Sequence, residues 1–90
     1  MIRRKVVIRN STGLHARPAS KFVLEAKKYE SDITARDLRH SGSPFNAKSI
    51  MSVLVANVPS RATIEICCDG PDEREAMAGM VDVVESGMGA

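Results

Sequence analysis

The residues able to carry chemistry sit in one run, Gly13-Leu14-His15-Ala16-Arg17-Pro18-Ala19, in which an imidazole and a guanidinium stand two positions apart. From Ala16 onward, Ala19, Phe22, Val23, Ala26 and Tyr29 recur at three- and four-residue steps, while Lys21, Glu25, Lys27 and Lys28 fall largely on other faces. That spacing predicts an amphipathic helix. Pro18 agrees with a helix start, because an N–H missing from the first turn would have had no intrahelical partner. His15 therefore stands at or just before a helix N-terminus, where backbone N–H groups lack carbonyl partners and the macrodipole is positive. An anion held there gains hydrogen bonds and favourable electrostatics. The arrangement suits a phosphoryl group carried on a ring nitrogen of His15, with the backbone N–H groups of Ala16 and Arg17 as donors. The Arg17 guanidinium is then the charge that stabilises phosphoryl oxygens during transfer. Gly13 allows a tight turn into the helix. A lone His-x-Arg is more often a loop end beside a solvated charge, and it is the seven-residue run as a whole that favours phosphate.

The elements that must position this run alternate in type. Val6-Val7-Ile8 reads as a strand, and Ile33 to Leu38 mixes apolar and charged residues as a half-buried strand does. Ser41-Gly42-Ser43-Pro44 is a turn cluster leading into Phe45-Asn46-Ala47. Ser49 is placed to cap a short helix from Ile50 to about Ala56, which Asn57 and Pro59 stop. Ala62 to Cys67 reads as a fourth strand, with Thr63 and Glu65 facing opposite to Ile64 and Ile66. Gly70, Pro71, Asp72 and Glu73 open a last helix that buries Ala76, Met77, Met80, Val81 and Val84. The order is βαββαβα. It predicts an α+β domain whose four-stranded antiparallel sheet buries a single face under helices.

Composition narrows the function. Ninety residues make one domain with one modest core. A net charge of +2 with dispersed basic residues argues against nucleic acid, and Arg3-Arg4-Lys5 reads as a solvated approach to the first strand. No segment reaches the ~18–20 apolar residues of a membrane span, and the N-terminus lacks the apolar run of a signal peptide, so a cytoplasmic protein is expected. Cys67 and Cys68 are adjacent, and neighbours in a strand point to opposite faces, which predicts free thiols. Without a Cys or His cluster at ligand spacing, neither a metal nor a cofactor is expected. His40, in a polar stretch beside Arg39, reads as a surface loop residue.

At this point the residues resemble a family. Gly13-Leu14-His15-Ala16-Arg17-Pro18-Ala19 is similar to the active-site signature of HPr, the histidine-containing phosphocarrier of the bacterial phosphoenolpyruvate-dependent sugar phosphotransferase system. Ala47-Lys48-Ser49-Ile50-Met51 resembles the family's regulatory-serine segment, and Asp69-Gly70-Pro71-Asp72-Glu73 resembles the start of its last helix. The resemblance runs over nearly the whole chain. It implies an open-faced β-sandwich with three helices on one face of the sheet. It implies that His15 accepts a phosphoryl group from phosphorylated enzyme I and passes it to sugar-specific phosphotransferase components, with Arg17 as partner in the site. The protein would be a carrier and not an enzyme, and a monomer.

Ser49 has two readings. As an N-cap it is worth roughly 1 kcal/mol, which is a sufficient structural role. The resemblance adds regulatory phosphorylation by HPr kinase/phosphorylase, which would put a dianion beside a docking surface. That surface is expected from Ile50, Met51 and Leu54 on the short helix and from Ser20, Leu24 and Lys27 at i, i+4, i+7 on the first. Val53 is the residue of the short helix expected to point inward. Two departures bear on the acceptor: Asp37 to Phe45 is longer by about three residues than the hairpin of the commonest relatives, and Asn57-Val58-Pro59-Ser60-Arg61 replaces a turn usually supplied with glycine. Both resemble the nitrogen-related HPr paralogue, which relays phosphate to regulatory proteins, whereas Lys48-Ser49-Ile50-Met51 resembles the sugar type. A purely regulatory HPr-like interaction protein and a non-phosphorylated helix-sheet binding module are the further alternatives.

Overall fold

Side-chain alternation along the strands decides which face of the sheet is covered. In the computed structural model, which describes residues 1–39 and 43–88, four strands pair antiparallel in the order β1-β4-β2-β3. They are β1 (Ile2–Val7), β2 (Asp32–Asp37), β3 (Phe45–Asn46) and β4 (Thr63–Asp69). The register sets Val6 and Asp37 beside Ile64, Ala35 and Arg4 beside Ile66, and Ile33 and Ile2 beside Cys68. Ile33, Ala35, Ile64, Ile66 and Cys68 are buried, and the alternate positions Arg3, Lys5, Thr34, Arg36, Glu65 and Cys67 lie on the opposite face. Cys67 and Cys68 are free thiols on opposite faces, and burial pushes the Cys68 thiol up to about 11.

Three helices cover the apolar face: α1 (Ala16–Ala26), α2 (Ile50–Ala56) and α3 (Glu73–Glu85). α1 buries Pro18, Ala19, Phe22, Val23 and Ala26, and α3 buries Ala76, Met77, Met80 and Val84, with Val81 half-buried. Only Val53 of α2 is fully buried, as the pattern predicts. This is the open-faced sandwich with βαββαβα order. Gly79 lets α3 approach α1, because a β-carbon there would lie 2.0 Å from the Tyr29 hydroxyl and 2.7 Å from Glu25 Oε2. Across the sheet end, the Asp72 carboxylate accepts from the backbone N–H groups of Glu30 and Ser31, both at 2.9 Å, and so clips the start of α3 to the turn before β2.

The strand ends differ from expectation for a common reason. Arg3, Arg4 and Lys5 lie inside β1 rather than leading into it, because an edge strand bonds through one side only and leaves its charged side chains in water. Ile8 leaves the regular strand yet stays paired, donating to Ala62 O at 2.9 Å and accepting from Arg61 N–H at 2.7 Å. β4 continues past Cys67 because β1 and β2 both pair with Cys68 and β2 still pairs with Asp69, and β2 starts one residue early opposite that extension. Leu38 and Ala47, expected in strands, lie just beyond them but donate backbone N–H groups to Thr63 O and Ile33 O, each at 3.0 Å. α1 stops at Ala26, so Tyr29 sits in the turn that follows. His40 and the Ser41-Gly42 part of the expected turn lie outside the described residues.

Candidate functional site

The loop from β1 to α1 is built to hold His15 at the helix mouth. Asn10 Nδ2 donates to Gly13 O at 2.8 Å and to Thr12 Oγ1 at 3.1 Å, closing the loop on itself. Gly13 has φ +74, and a β-carbon there would lie 2.3 Å from Val58 O. Leu14 N–H donates to that same oxygen at 2.9 Å, and the Leu14 side chain is fully buried. His15 follows with its backbone fixed from behind, half-buried and extended at φ −135, ψ 162, as the N-cap of α1. Its carbonyl accepts from Ala19 N–H at 3.3 Å.

That end of the helix is left open. His15 makes no side-chain cap bond, and no acidic residue occupies the first turn. The N–H groups of Ala16 and Arg17 precede the first i to i−4 bond, and Pro18 brings none to compete for an anion. Ala16 has φ +51, a left-handed backbone at a residue with a β-carbon, which costs on the order of 1 kcal/mol and is retained only where surrounding structure imposes it. Arg17 is exposed and makes no ion pair among the described residues. An imidazole, two backbone N–H groups and a guanidinium without an ion pair among the described residues thus belong to one helix end. Together they can accept, hold and release a phosphoryl group.

Ser49 lies on a separate element. It is the half-buried N-cap of α2, its Oγ accepting from Ser52 N–H at 3.2 Å, and its carbonyl accepting from Val53 N–H at 3.1 Å. Lys48 before it reaches back to the turn after α1, donating from Nζ to Tyr29 O at 2.6 Å. Between α1 and α2, Ser20, Val23, Leu24 and Ile50 line a groove of about 300 Å³. Ile50, Met51 and Leu54 are exposed to 40%, 67% and 39%, and Leu24 to 63%. Lys27, expected on the first helix, is exposed as the C-cap just past its end at Ala26. Val55, 77% exposed, was not singled out in the sequence, and it lies on the β3 side of α2, where it lines a groove with Pro44, Phe45 and Ser52. Its signal was α2 itself, in which one inward valine leaves every other large apolar residue outside.

Asn10 was also missed. The turn residues Asn10-Ser11-Thr12-Gly13 advertise a loop, but only the fold shows that the Asn10 side chain is buried and braces Gly13. Its Oδ1 is buried without a hydrogen-bond partner among the described residues.

The chain is similar to known proteins in sequence and in fold. The family model of the PTS HPr component phosphorylation site matches residues 2–86. Over 82 residues the chain is 39% identical to a multiphosphoryl transfer protein of Vibrio cholerae, a match that takes in 91% of this chain but 20% of that protein. The chain thus spans about a fifth of that relative's length. It is 38% identical over 85 residues to the HPr-like protein Crh of Halalkalibacterium halodurans, covering 94% of this chain and 98% of the relative. The crystal structure of HPr-C-His from Thermoanaerobacter tengcongensis superposes with a TM-score of 0.92 at 38% identity, covering 100% of this chain and 98% of that one.

Proposed function

The chain belongs to the HPr family of phosphocarriers, and from that premise we propose that it accepts a phosphoryl group on His15 from phosphorylated enzyme I and passes it to sugar-specific phosphotransferase components. The observation that carries this reading is the uncapped start of α1, where His15, the Ala16 and Arg17 N–H groups and the Arg17 side chain share one end of the helix.

In the first half-reaction a lone pair of neutral His15 attacks the phosphorus carried by the donor. A nitrogen–phosphorus bond forms on His15 as the bond to the donor breaks, and the electron pair of that bond leaves with the donor. The Ala16 and Arg17 N–H groups and the Arg17 guanidinium face the phosphoryl oxygens, whose charge needs compensation throughout. The second half-reaction is the same step in reverse, onto the acceptor. No small molecule is turned over, so the chain acts as a carrier within a relay, and neither a metal nor a cofactor enters either step.

The exposed apolar residues beside the site, Leu24, Ile50, Met51 and Leu54 with Ser20 and Lys27, form the surface on which donor and acceptor dock in turn. A cytoplasmic monomer, presenting one such face to successive partners, fits this use. Phosphorylation of Ser49 by HPr kinase/phosphorylase would place a dianion next to that face and weaken docking by desolvation and repulsion.

The test is incubation with phosphoenolpyruvate and enzyme I of the same organism, followed by intact mass with and without acid. A gain of one phosphoryl group that is acid-labile and absent from His15→Ala is expected. No gain would overturn the carrier reading.

A second reading has one observation behind it, the match to an HPr-like protein Crh over 98% of that relative's length. In that case Ser49 and the α1–α2 face would carry a regulatory function and His15 would be idle. The full Gly13 to Ala19 run weighs against it, since a chain without a carrier role has no need of both His15 and Arg17. Acid-stable phosphate from ATP and HPr kinase/phosphorylase, with none from phosphoenolpyruvate, is the result that would select it. The acceptor could also be a regulator of the nitrogen branch, which competition between purified acceptors for the phosphorylated protein would decide.

A further inference from the structure

The two edges of the sheet are unequal. β3 closes one side with two residues, whereas β1 leaves six residues open on the other with a continuous register from Ile2 to Val7, no bulge and no proline. Ile8 directs both its N–H and its C=O to the β4 side. By the two-residue alternation of an antiparallel ladder, Ile2, Arg4 and Val6 do the same, and Arg3, Lys5 and Val7 turn their backbone groups to the free edge. Short edge strands are a common protection against unwanted pairing, and this edge lacks it.

Beside the edge, on the helix-covered side, β1 and α3 enclose a groove of about 560 Å³. Ile2, Met77, Ala78 and Val81 give it apolar walls, and Arg4 and Arg74 stand at its rim. Arg4, Lys5 and Arg74 make no ion pair among the described residues, and Ile2 to Asn10 contains four cations and no acid.

We propose that the free edge of β1 is a docking site for an extended acidic segment of a protein partner, which adds to the sheet as a fifth strand and lays its inward side chains over the groove between β1 and α3. The backbone bonds come from Arg3, Lys5 and Val7, the recurrent mode in which a peptide extends an exposed sheet edge. Acidic side chains on the partner's outward positions meet Arg3 and Lys5, and an inward acid meets Arg4 and Arg74 between apolar neighbours that cover Met77 and Val81.

Charge selects this occupant over the others. A second copy pairing through the same edge would set Arg3, Arg4 and Lys5 against one another across the new ladder, and like charges directly opposite are destabilising. Single-stranded nucleic acid needs aromatic faces for stacking, and the chain has three aromatic residues, Phe22, Tyr29 and Phe45, none of them on β1 or α3. The site is on different elements from His15, so the proposal stands apart from the carrier reading.

The experiment is a titration of the ¹⁵N-labelled full chain with the synthetic hexapeptide Glu-Val-Glu-Glu-Glu-Val, which carries one acid between two valines on its inward face, its counterpart with lysine in place of glutamate, and oligo-dT. Saturable shifts centred on the Arg3, Lys5 and Val7 amides are expected with the acidic peptide alone. Slower hydrogen exchange at these amides and weaker binding in added salt should accompany them. Arg74→Glu, an exposed change in the acid-tolerant first turn of α3, should weaken binding at least about tenfold. Lys5→Pro should do so too, because it deletes an outward N–H and spares the ladder to β4. Shifts centred on Leu24 and Met51, equal binding of the lysine peptide, preference for oligo-dT, or an Arg74→Glu chain that binds as well as the parent would each overturn the proposal.

Discussion

Gly13 lies against Val58 so closely that the Val58 carbonyl, which accepts from Leu14 N–H at 2.9 Å, would sit 2.3 Å from a β-carbon on Gly13. The contact joins the loop before His15 to the segment between α2 and β4, so the height of His15 is set by a residue far away in sequence. Gly13→Ala meets two penalties. A left-handed backbone costs an alanine about 1–2 kcal/mol, and the overlap forces the rigid Val58–Pro59 backbone to move. Denaturant unfolding should show a loss of at least about 2 kcal/mol. Phosphoryl transfer to the folded fraction should slow as well. A variant with parent stability would show that the loop is not seated on Val58.

Ser49 is a helix cap whatever else it does. Its Oγ satisfies the Ser52 N–H at 3.2 Å, so Ser49→Ala should lower stability by about 1 kcal/mol, whereas Ser49→Asp, which also caps, should stay within about 0.5 kcal/mol of the parent. The two variants separate structure from regulation. If partner binding falls in Ser49→Asp and not in Ser49→Ala, negative charge at this position opposes docking independently of fold stability. Calorimetric titration with enzyme I measures it.

What could be read from the chain follows the range of the interactions involved. His15, Arg17 and Pro18 were legible because a helix start is a local event, and Val53 because one inward residue in a seven-residue helix is fixed by its period. Asp72 was legible only in part. As an acid beside a helix start it fits the macrodipole, yet its carboxylate accepts from the Ser31 hydroxyl and from the N–H groups of Glu30 and Ser31, more than forty residues back, which holds its pKa below its usual value. No local pattern carries that pairing. Gly79 reads as a weak point in a helix until α1 is seen packed across it. The strand ends were misplaced because a charged run signals solvent in sequence, and an edge strand satisfies solvent and ladder together.

Tyr29 and Glu25 form a titratable pair that spectroscopy can isolate. The Tyr29 hydroxyl donates to Glu25 Oε2 at 2.7 Å, and that bond to a carboxylate pushes the phenol up to about 12 from its usual 10. Tyr29 is the only tyrosine and there is no tryptophan, so phenolate absorbance reports this group alone. Since the folded value is raised, the contact supports the fold at any pH below about 10 and its contribution is lost as the pH climbs from there through about 12. Glu25 has the opposite sign. Its pKa is lowered by the Tyr29 bond and then by Lys28, so its contribution is present above its usual 4.5 and fades as the pH falls below that. A phenolate midpoint near 12 in the parent is expected. Glu25→Gln should bring it down towards 10. A parent midpoint at 10 would show the pair to be open in solution.

Arg17 separates chemistry from folding. It is exposed and makes no ion pair among the described residues, so Arg17→Ala should change stability by no more than about 0.5 kcal/mol. Its expected effect lies in transfer. A guanidinium that stabilises phosphoryl oxygens in the transition state contributes through charge and fork geometry, so kcat/KM for phosphorylation by enzyme I should fall about 10- to 100-fold in Arg17→Ala. Arg17→Lys should recover part of that, since lysine keeps the charge without the planar fork. Rapid-quench measurement of phosphohistidine formation gives the rates directly. If the rate is unchanged in both variants, the backbone N–H groups of Ala16 and Arg17 suffice to hold the phosphoryl group, and the uncapped helix start, not the side chain, is the catalytic feature of the site.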